Sequence, residues 1–119
     1  MHIDTTIVPL GPGKLLANPV WVNKIPEQFK SWEVRRPPPP VSPYDSALYF
    51  SSDWLTINFL SLDEKTVIVE EREEPLIEFL KDWGFDTIAI PFRNFYPFGG
   101  SIHCATADIR RSGSLRSYF

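Results

Sequence analysis

The chain reads as an α/β protein made of a repeated β-β-α-β unit. Three observations predict this. Strand-like and helix-like runs occur in the same order in about residues 1–50 and 51–100. An offset of 51 lays Lys14 on Lys65, Glu27 on Glu78, Lys30 on Lys81 and Trp32 on Trp83. Hydrophobic residues make up 43% and aromatics 14% of 119 residues, enough for the packed core of one domain. Repeats of about this length mark supersecondary units that bury their apolar faces only against neighbours.

Taken in order, Ile3 to Leu10 is rich in Thr, Ile and Val and predicts a strand. Gly11-Pro12-Gly13 is a turn, and Lys14 to Asn18 a second short strand. Ile25, Phe29 and Trp32 have helical spacing, with Pro26 tolerable in a first turn. Glu33 to Arg35 begins a strand that the proline run cuts off, and Pro37 to Pro43 is a stiff polyproline-like connection. The order then returns. Leu55 to Leu62 predicts a strand, Asp63-Glu64-Lys65 a turn and Thr66 to Glu70 a strand. Glu74 to Trp83 predicts a helix stopped by Gly84, and Thr87 to Ile90 a strand. The Trp32 and Trp83 pair is expected to be repeated core.

Composition narrows the function. The net charge of −3 and the lack of a basic stripe argue against nucleic acid as a partner. One cysteine excludes an internal disulfide and fits a reducing, cytoplasmic setting. No apolar run approaches the roughly 18 residues of a membrane span, and the first residues do not read as a signal peptide. Two histidines and one cysteine leave little material for a zinc site, so no metal is expected.

The chemistry-bearing stretch is Phe98-Gly99-Gly100-Ser101-Ile102-His103-Cys104-Ala105-Thr106. Its glycines let a backbone or a ligand approach without a Cβ in the way. A lone cysteine is often a small buried hydrophobe, and catalysis by Cys104 needs a base. Read as a strand, this stretch turns His103 and Cys104 to opposite faces, which leaves His103 poorly placed for that role. His2, the other histidine, lies at the far end of the chain. The 51-residue offset carries His2 onto Asp53 and Asp53 onto Cys104, so an arrangement of modules about an axis brings His2 to Cys104.

His2-Ile3-Asp4, Gly11-Pro12-Gly13, Leu62-Asp63-Glu64-Lys65, His103-Cys104-Ala105-Thr106 and Asp108-Ile109-Arg110-Arg111 together resemble the amidinotransferase family, which includes the glycine and inosamine-phosphate amidinotransferases. The resemblance runs the length of the chain. It implies a partial pentein, a ring of five β-β-α-β modules of which this chain is the C-terminal portion. On that reading residues 1–119 hold modules at about 1–50 and 51–100 and the first strand of a further module.

Carried over position by position, the resemblance implies Cys104 as nucleophile and His2 as general acid and base. It implies Asp4 as a ligand of the substrate guanidinium and Ser52 as a residue near the substrate. Without it, Asp4 reads as a solvated acid near a chain end. Asp53 reads equally well as exposed or as added negative charge near a bound cation, and Arg110 and Arg111 read as surface or structural. Two departures stand out. Trp21 occupies the place of an arginine that binds a substrate carboxylate in glycine amidinotransferases. The aspartate that orients the histidine in the family lies upstream and has no counterpart here.

The activity implied is transfer of the amidino group of arginine to an acceptor amine through an S-amidino-cysteine, without a cofactor. The expected partners are small molecules, arginine and the amine, with a homodimer of the full-length protein open; no nucleic acid or membrane partner is expected. A guanidine-modifying hydrolase of the same superfamily needs the same residues. A third reading is a non-catalytic fragment that folds with another polypeptide. On the transferase reading the isolated 119-residue chain is expected to be inactive, because ligands from several modules surround the centre of a closed ring.

Overall fold

A computed structural model describes residues 3–41 and 51–113. His2 and residues 42–50 fall outside that range. The described chain folds into two three-stranded sheets of identical plan. In the first, β1 (Ile7–Pro9) pairs antiparallel with β2 (Lys14–Ala17), which pairs parallel with β3 (Glu33–Arg35). In the second, β4 (Leu60–Ser61) pairs antiparallel with β5 (Thr66–Glu70), which pairs parallel with β6 (Asp86–Ile90). The registers match closely, with Lys14 opposite Glu33 in one and Thr66 opposite Asp86 in the other. Corresponding members of these pairs lie 52 and 53 residues apart, within two residues of the offset of 51. Among the described residues there are two such modules and no closed ring.

The second module carries the α-helix of the unit, α1 (Glu74–Asp82). Pro75 fits its first turn, where a backbone N–H has no helical partner. Leu76 and Leu80 lie one turn apart on the face turned to the core, where they cluster with Val67 and Val69, and both are buried. Burying each contributes about 1.5–3 kcal/mol. Gly84 ends the helix at φ +93. Its N–H donates to Lys81 O at 2.9 Å, and the Phe85 N–H donates to Leu80 O at 2.9 Å. These two bonds form the Schellman stop that a left-handed glycine allows.

One core serves both modules. Leu10 and Leu16 of the first pack with Ile57, Phe59, Val67, Val69, Leu80 and Trp83 of the second. Both repeat tryptophans are buried, Trp32 at 9% and Trp83 at 3% exposure. The modules also meet through polar contacts. Lys14 Nζ donates to Trp83 O at 2.7 Å and lies 4.8 Å from the Phe85 ring centre. A Cβ on Gly11 would stand 2.8 Å from Glu64 O, so the two turns touch only because Gly11 has none.

Four expectations need correction. Ile3 to Leu10 is not strand throughout. Residues Ile3–Thr5 form a 3₁₀ turn, closed by the Thr6 N–H on Ile3 O at 2.7 Å, and only Ile7–Pro9 is extended. Leu55 to Leu62 divides in the same way, into a 3₁₀ segment Asp53–Ile57 and the short β4. The predicted helix at Ile25 to Trp32 shrinks to a 3₁₀ turn, Glu27–Phe29. Pro26 sits extended before it with no side-chain cap, so nothing starts a longer helix. The Ile102–Ala107 segment, expected to be the first strand of a further module, is a turn at residues 102–105. Local bonds, such as Ala105 N–H to Ser101 O at 3.1 Å, replace the ladder of a strand.

Candidate active site

The Cys104 turn is positioned from behind by two neighbours. Upstream, a 3₁₀ segment, Arg93–Phe98, is anchored through Arg93. Arg93 Nη2 donates to Glu73 Oε1 at 2.8 Å, among largely buried side chains. Gly99 then takes φ +88, which turns the chain into Gly100. A Cβ on Gly100 would stand 2.5 Å from Cys104 Cβ and 3.1 Å from its Sγ. The cysteine side chain therefore lies directly over Gly100.

The second neighbour is Asn58, fully buried between Ile57 and Phe59. Its Oδ1 accepts the N–H of Ser101 at 2.9 Å and of Cys104 at 3.2 Å. Its backbone carbonyl accepts the His103 N–H at 3.0 Å. One residue of the second module thus holds three amides of the turn. Sequence reading missed it. The signal available was a polar residue inside the apolar run Leu55 to Leu60.

Asp4 comes to the same place from the first module. Its Oδ2 lies 3.0 Å from His103 Nδ1 and accepts from Cys104 Sγ at 3.6 Å. A carboxylate only accepts when ionised, so His103 Nδ1 carries the proton in this pair. Because the segment is a turn and not a strand, His103 and Cys104 both reach Asp4, and the opposite-face expectation for His103 does not hold. Asp4 Oδ1 is buried and has no partner among the described residues.

Cys104 is exposed, yet burial of its surroundings pushes the thiol above its ordinary range. The Asp4 carboxylate pushes the same way, and hydrogen bonds from the Ser101 backbone and the Asn58 side chain oppose it. In this environment the thiol is neutral at pH 7 and donates to Asp4. A cavity of about 330 Å³ opens beside the pair, lined in part by Asp4, His103, Asp108 and Arg111. The guanidinium of Arg111 is already engaged, with Asp108 at 2.7 Å and the carbonyls of Ser61 and Leu62 at 2.8 and 3.2 Å.

The remaining expected residues are placed as follows. Ser52 caps the Asp53–Ile57 segment, its Oγ accepting the Trp54 N–H at 3.0 Å. Asp53 is exposed in the first turn of that segment. Trp21 is 39% exposed, and its N–H donates to Asn18 Oδ1 at 3.3 Å. His2 lies outside the described residues. Among the described residues no group of three or more His, Cys, Asp or Glu is placed to hold a metal, and no helix is long and apolar enough to cross a membrane.

No protein-family model matches the chain. Individual proteins do. Over 118 residues the chain is 53% identical to the L-arginine:L-lysine amidinotransferase of Pseudomonas savastanoi pv. phaseolicola, covering 99% of this chain and 33% of that protein. The family it resembles is that of the amidinotransferases. Mitochondrial glycine amidinotransferase of Gallus gallus is 45% identical over 121 residues, which cover all of this chain and 29% of that amidinotransferase. A solved structure, SxtG, an amidinotransferase from Microseira wollei in the saxitoxin biosynthetic pathway, superposes with a TM-score of 0.93. It is 52% identical and covers 100% of this chain and 34% of its own. The chain therefore spans about one third of the length of these amidinotransferases.

Proposed function

We propose that the protein carrying this sequence moves the amidino group of arginine to an acceptor amine, with Cys104 as nucleophile. The observation that carries the reading is the meeting of Asp4 and Cys104 at 3.6 Å. It joins a guanidinium-type ligand to a thiol across the whole described chain. The similarity to amidinotransferases supports it, and the L-arginine:L-lysine amidinotransferase of Pseudomonas supports arginine as donor. We read the two sheets as two modules of a pentein ring, the rest of which belongs to a longer chain.

The chemistry follows from charge. A resonance-stabilised guanidinium carbon needs a thiolate to attack it and a proton for the departing nitrogen. The thiol of Cys104 is held neutral in part by Asp4. A bound guanidinium donates two parallel hydrogen bonds to Asp4 and neutralises it, so the same event favours ionisation of Cys104. Attack forms the S–C bond. The bond from that carbon to the ornithine nitrogen breaks as His2 gives up a proton, which leaves an S-amidino-cysteine. His2 then takes a proton from the incoming amine as the amine attacks the carbon. The S–C bond breaks, and sulfur leaves as thiolate. We read Ser52, from the resemblance alone, as a residue near the substrate. Trp21 offers no charge to a carboxylate, so it does not serve as a carboxylate clamp.

The test is mass spectrometry of the whole ring-forming protein that carries this sequence, incubated with arginine, then with lysine or glycine. An amidino adduct on Cys104 that an amine discharges into a guanidino product supports transfer. Discharge by water with no amine dependence converts the reading to a hydrolase. Absence of the adduct removes both.

A further inference from the structure

We infer that Asn58 is the positioning residue of Cys104, its amide oxygen holding the turn and its amide N–H donating to the sulfur once that sulfur ionises. The inference rests on the reading of Cys104 as a nucleophile.

Asn58 has no exposed surface and sits in an apolar run, where an unpaired amide group costs about 1–3 kcal/mol. Its oxygen is assigned without ambiguity. Two backbone N–H groups, of Ser101 and Cys104, point at Oδ1, and turning the amide over would set donor against donors. The Nδ2 group therefore faces away from those two amides. It is buried and has no partner among the described residues. Buried amide donors are rarely left so, and an orphan on the side chain that holds the nucleophile's own N–H calls for an explanation.

Cys104 supplies one. As a thiol it acts as a donor to Asp4 Oδ2, and its sulfur is a weak acceptor. As a thiolate it has no proton to give and becomes a strong, charged acceptor. The Asn58 side chain favours that ionised form. The orphan N–H is thus satisfied in the thiolate state and unsatisfied in the thiol state. The titratable groups facing the sulfur among the described residues are Asp4 and His103. Asp4 opposes ionisation, and Asn58 acts against it.

The primary experiment is NMR of the Asn58 side-chain amide as pH is raised, with Cys104 ionisation followed by thiolate absorbance in the same samples. The Asn58 resonance should shift through the pH range in which Cys104 ionises and should stay still over that range in Cys104→Ala. A resonance that does not move, or that moves equally in Cys104→Ala, overturns the inference. The second measurement is the pH profile of alkylation by iodoacetamide in Asp4→Ala/Asn58→Asp, which keeps an oxygen for both backbone amides and a single carboxylate beside the thiol but removes the Asn58 donor. The midpoint should rise by about one pH unit or more, an approximately tenfold slower reaction below it. An unchanged midpoint in folded protein overturns the inference. Neither measurement uses arginine or an amine, so failure of the transferase reading appears in the adduct experiment alone.

Discussion

Asp4 and Cys104 meet at 3.6 Å, carboxylate oxygen to thiol sulfur, across 100 positions of chain. Asp4 opposes thiolate formation in the free protein and, in the proposed function, holds the substrate guanidinium. Asp4→Asn should therefore separate the two effects. Burial still holds the Cys104 thiol up, but the negative charge beside it is gone, so its pKa falls towards the ordinary range. Alkylation of the variant at neutral pH should be faster than in the parent. Adduct formation from arginine should slow by about 10- to 100-fold, the worth of a lost charge-assisted pair. Parallel alkylation and adduct assays check both signs, and a thiol that becomes less reactive in Asp4→Asn would contradict the assignment.

Removing the nucleophile gives the simplest outcome. Cys104→Ala and Cys104→Ser should form no covalent adduct with arginine, because neither carries a sulfur able to ionise near neutral pH. His2→Asn should leave Cys104 in place but block turnover, since an amide neither gives nor takes the required proton. Steady-state ornithine release measured for all three variants decides the matter.

Gly100→Ala should damage the site through packing. The added methyl would stand 2.5 Å from Cys104 Cβ, too close for any real contact. The turn must move, at a cost of about 1–3 kcal/mol. Urea unfolding should show that loss, and adduct formation should fall with it. Gly113→Ala, where the new Cβ meets nothing within 4 Å, is the matched control and should change neither.

Lys14→Met should weaken the junction of the modules. Methionine keeps much of the apolar stem but loses the bond to Trp83 O and the charge over the Phe85 ring. Hydrogen bonds from charged donors contribute about 1.5–3 kcal/mol, and a loss in that range should appear as a lower urea midpoint with an unchanged slope. A midpoint identical to the parent's would show that the contact contributes nothing.

Much of the fold was legible in the sequence. Lys14, Lys65, Trp32 and Trp83 gave the module offset, and the two sheets share one plan. Thr66–Glu70 and Glu33–Arg35 stand where strand propensity put them, and Gly84 stops α1 as expected. The misses have a common cause. Ile3 to Thr5, Leu55 to Ile57 and the residues around Cys104 are apolar enough to read as strands, yet they close local turns. Propensity registers side-chain type, whereas these segments are decided by partners far along the chain. The same limit hid the site's supports. Asp4 was legible only through resemblance, and a two-residue period set His103 and Cys104 on opposite faces where the turn brings both to Asp4. Asn58 could not be identified without knowing what its amide faces.

The holding of the Cys104 turn by Asn58 has a consequence for local unfolding. The turn owns no sheet, and its Ser101, His103 and Cys104 amides all donate to a residue of the second module. Their protection against hydrogen exchange can therefore not exceed that of Asn58 and the β4–β5 unit behind it. Asp4, opposite, lies on the turn that packs beside β1. The thiol and the carboxylate thus face each other only while the two modules stay closed on their shared core.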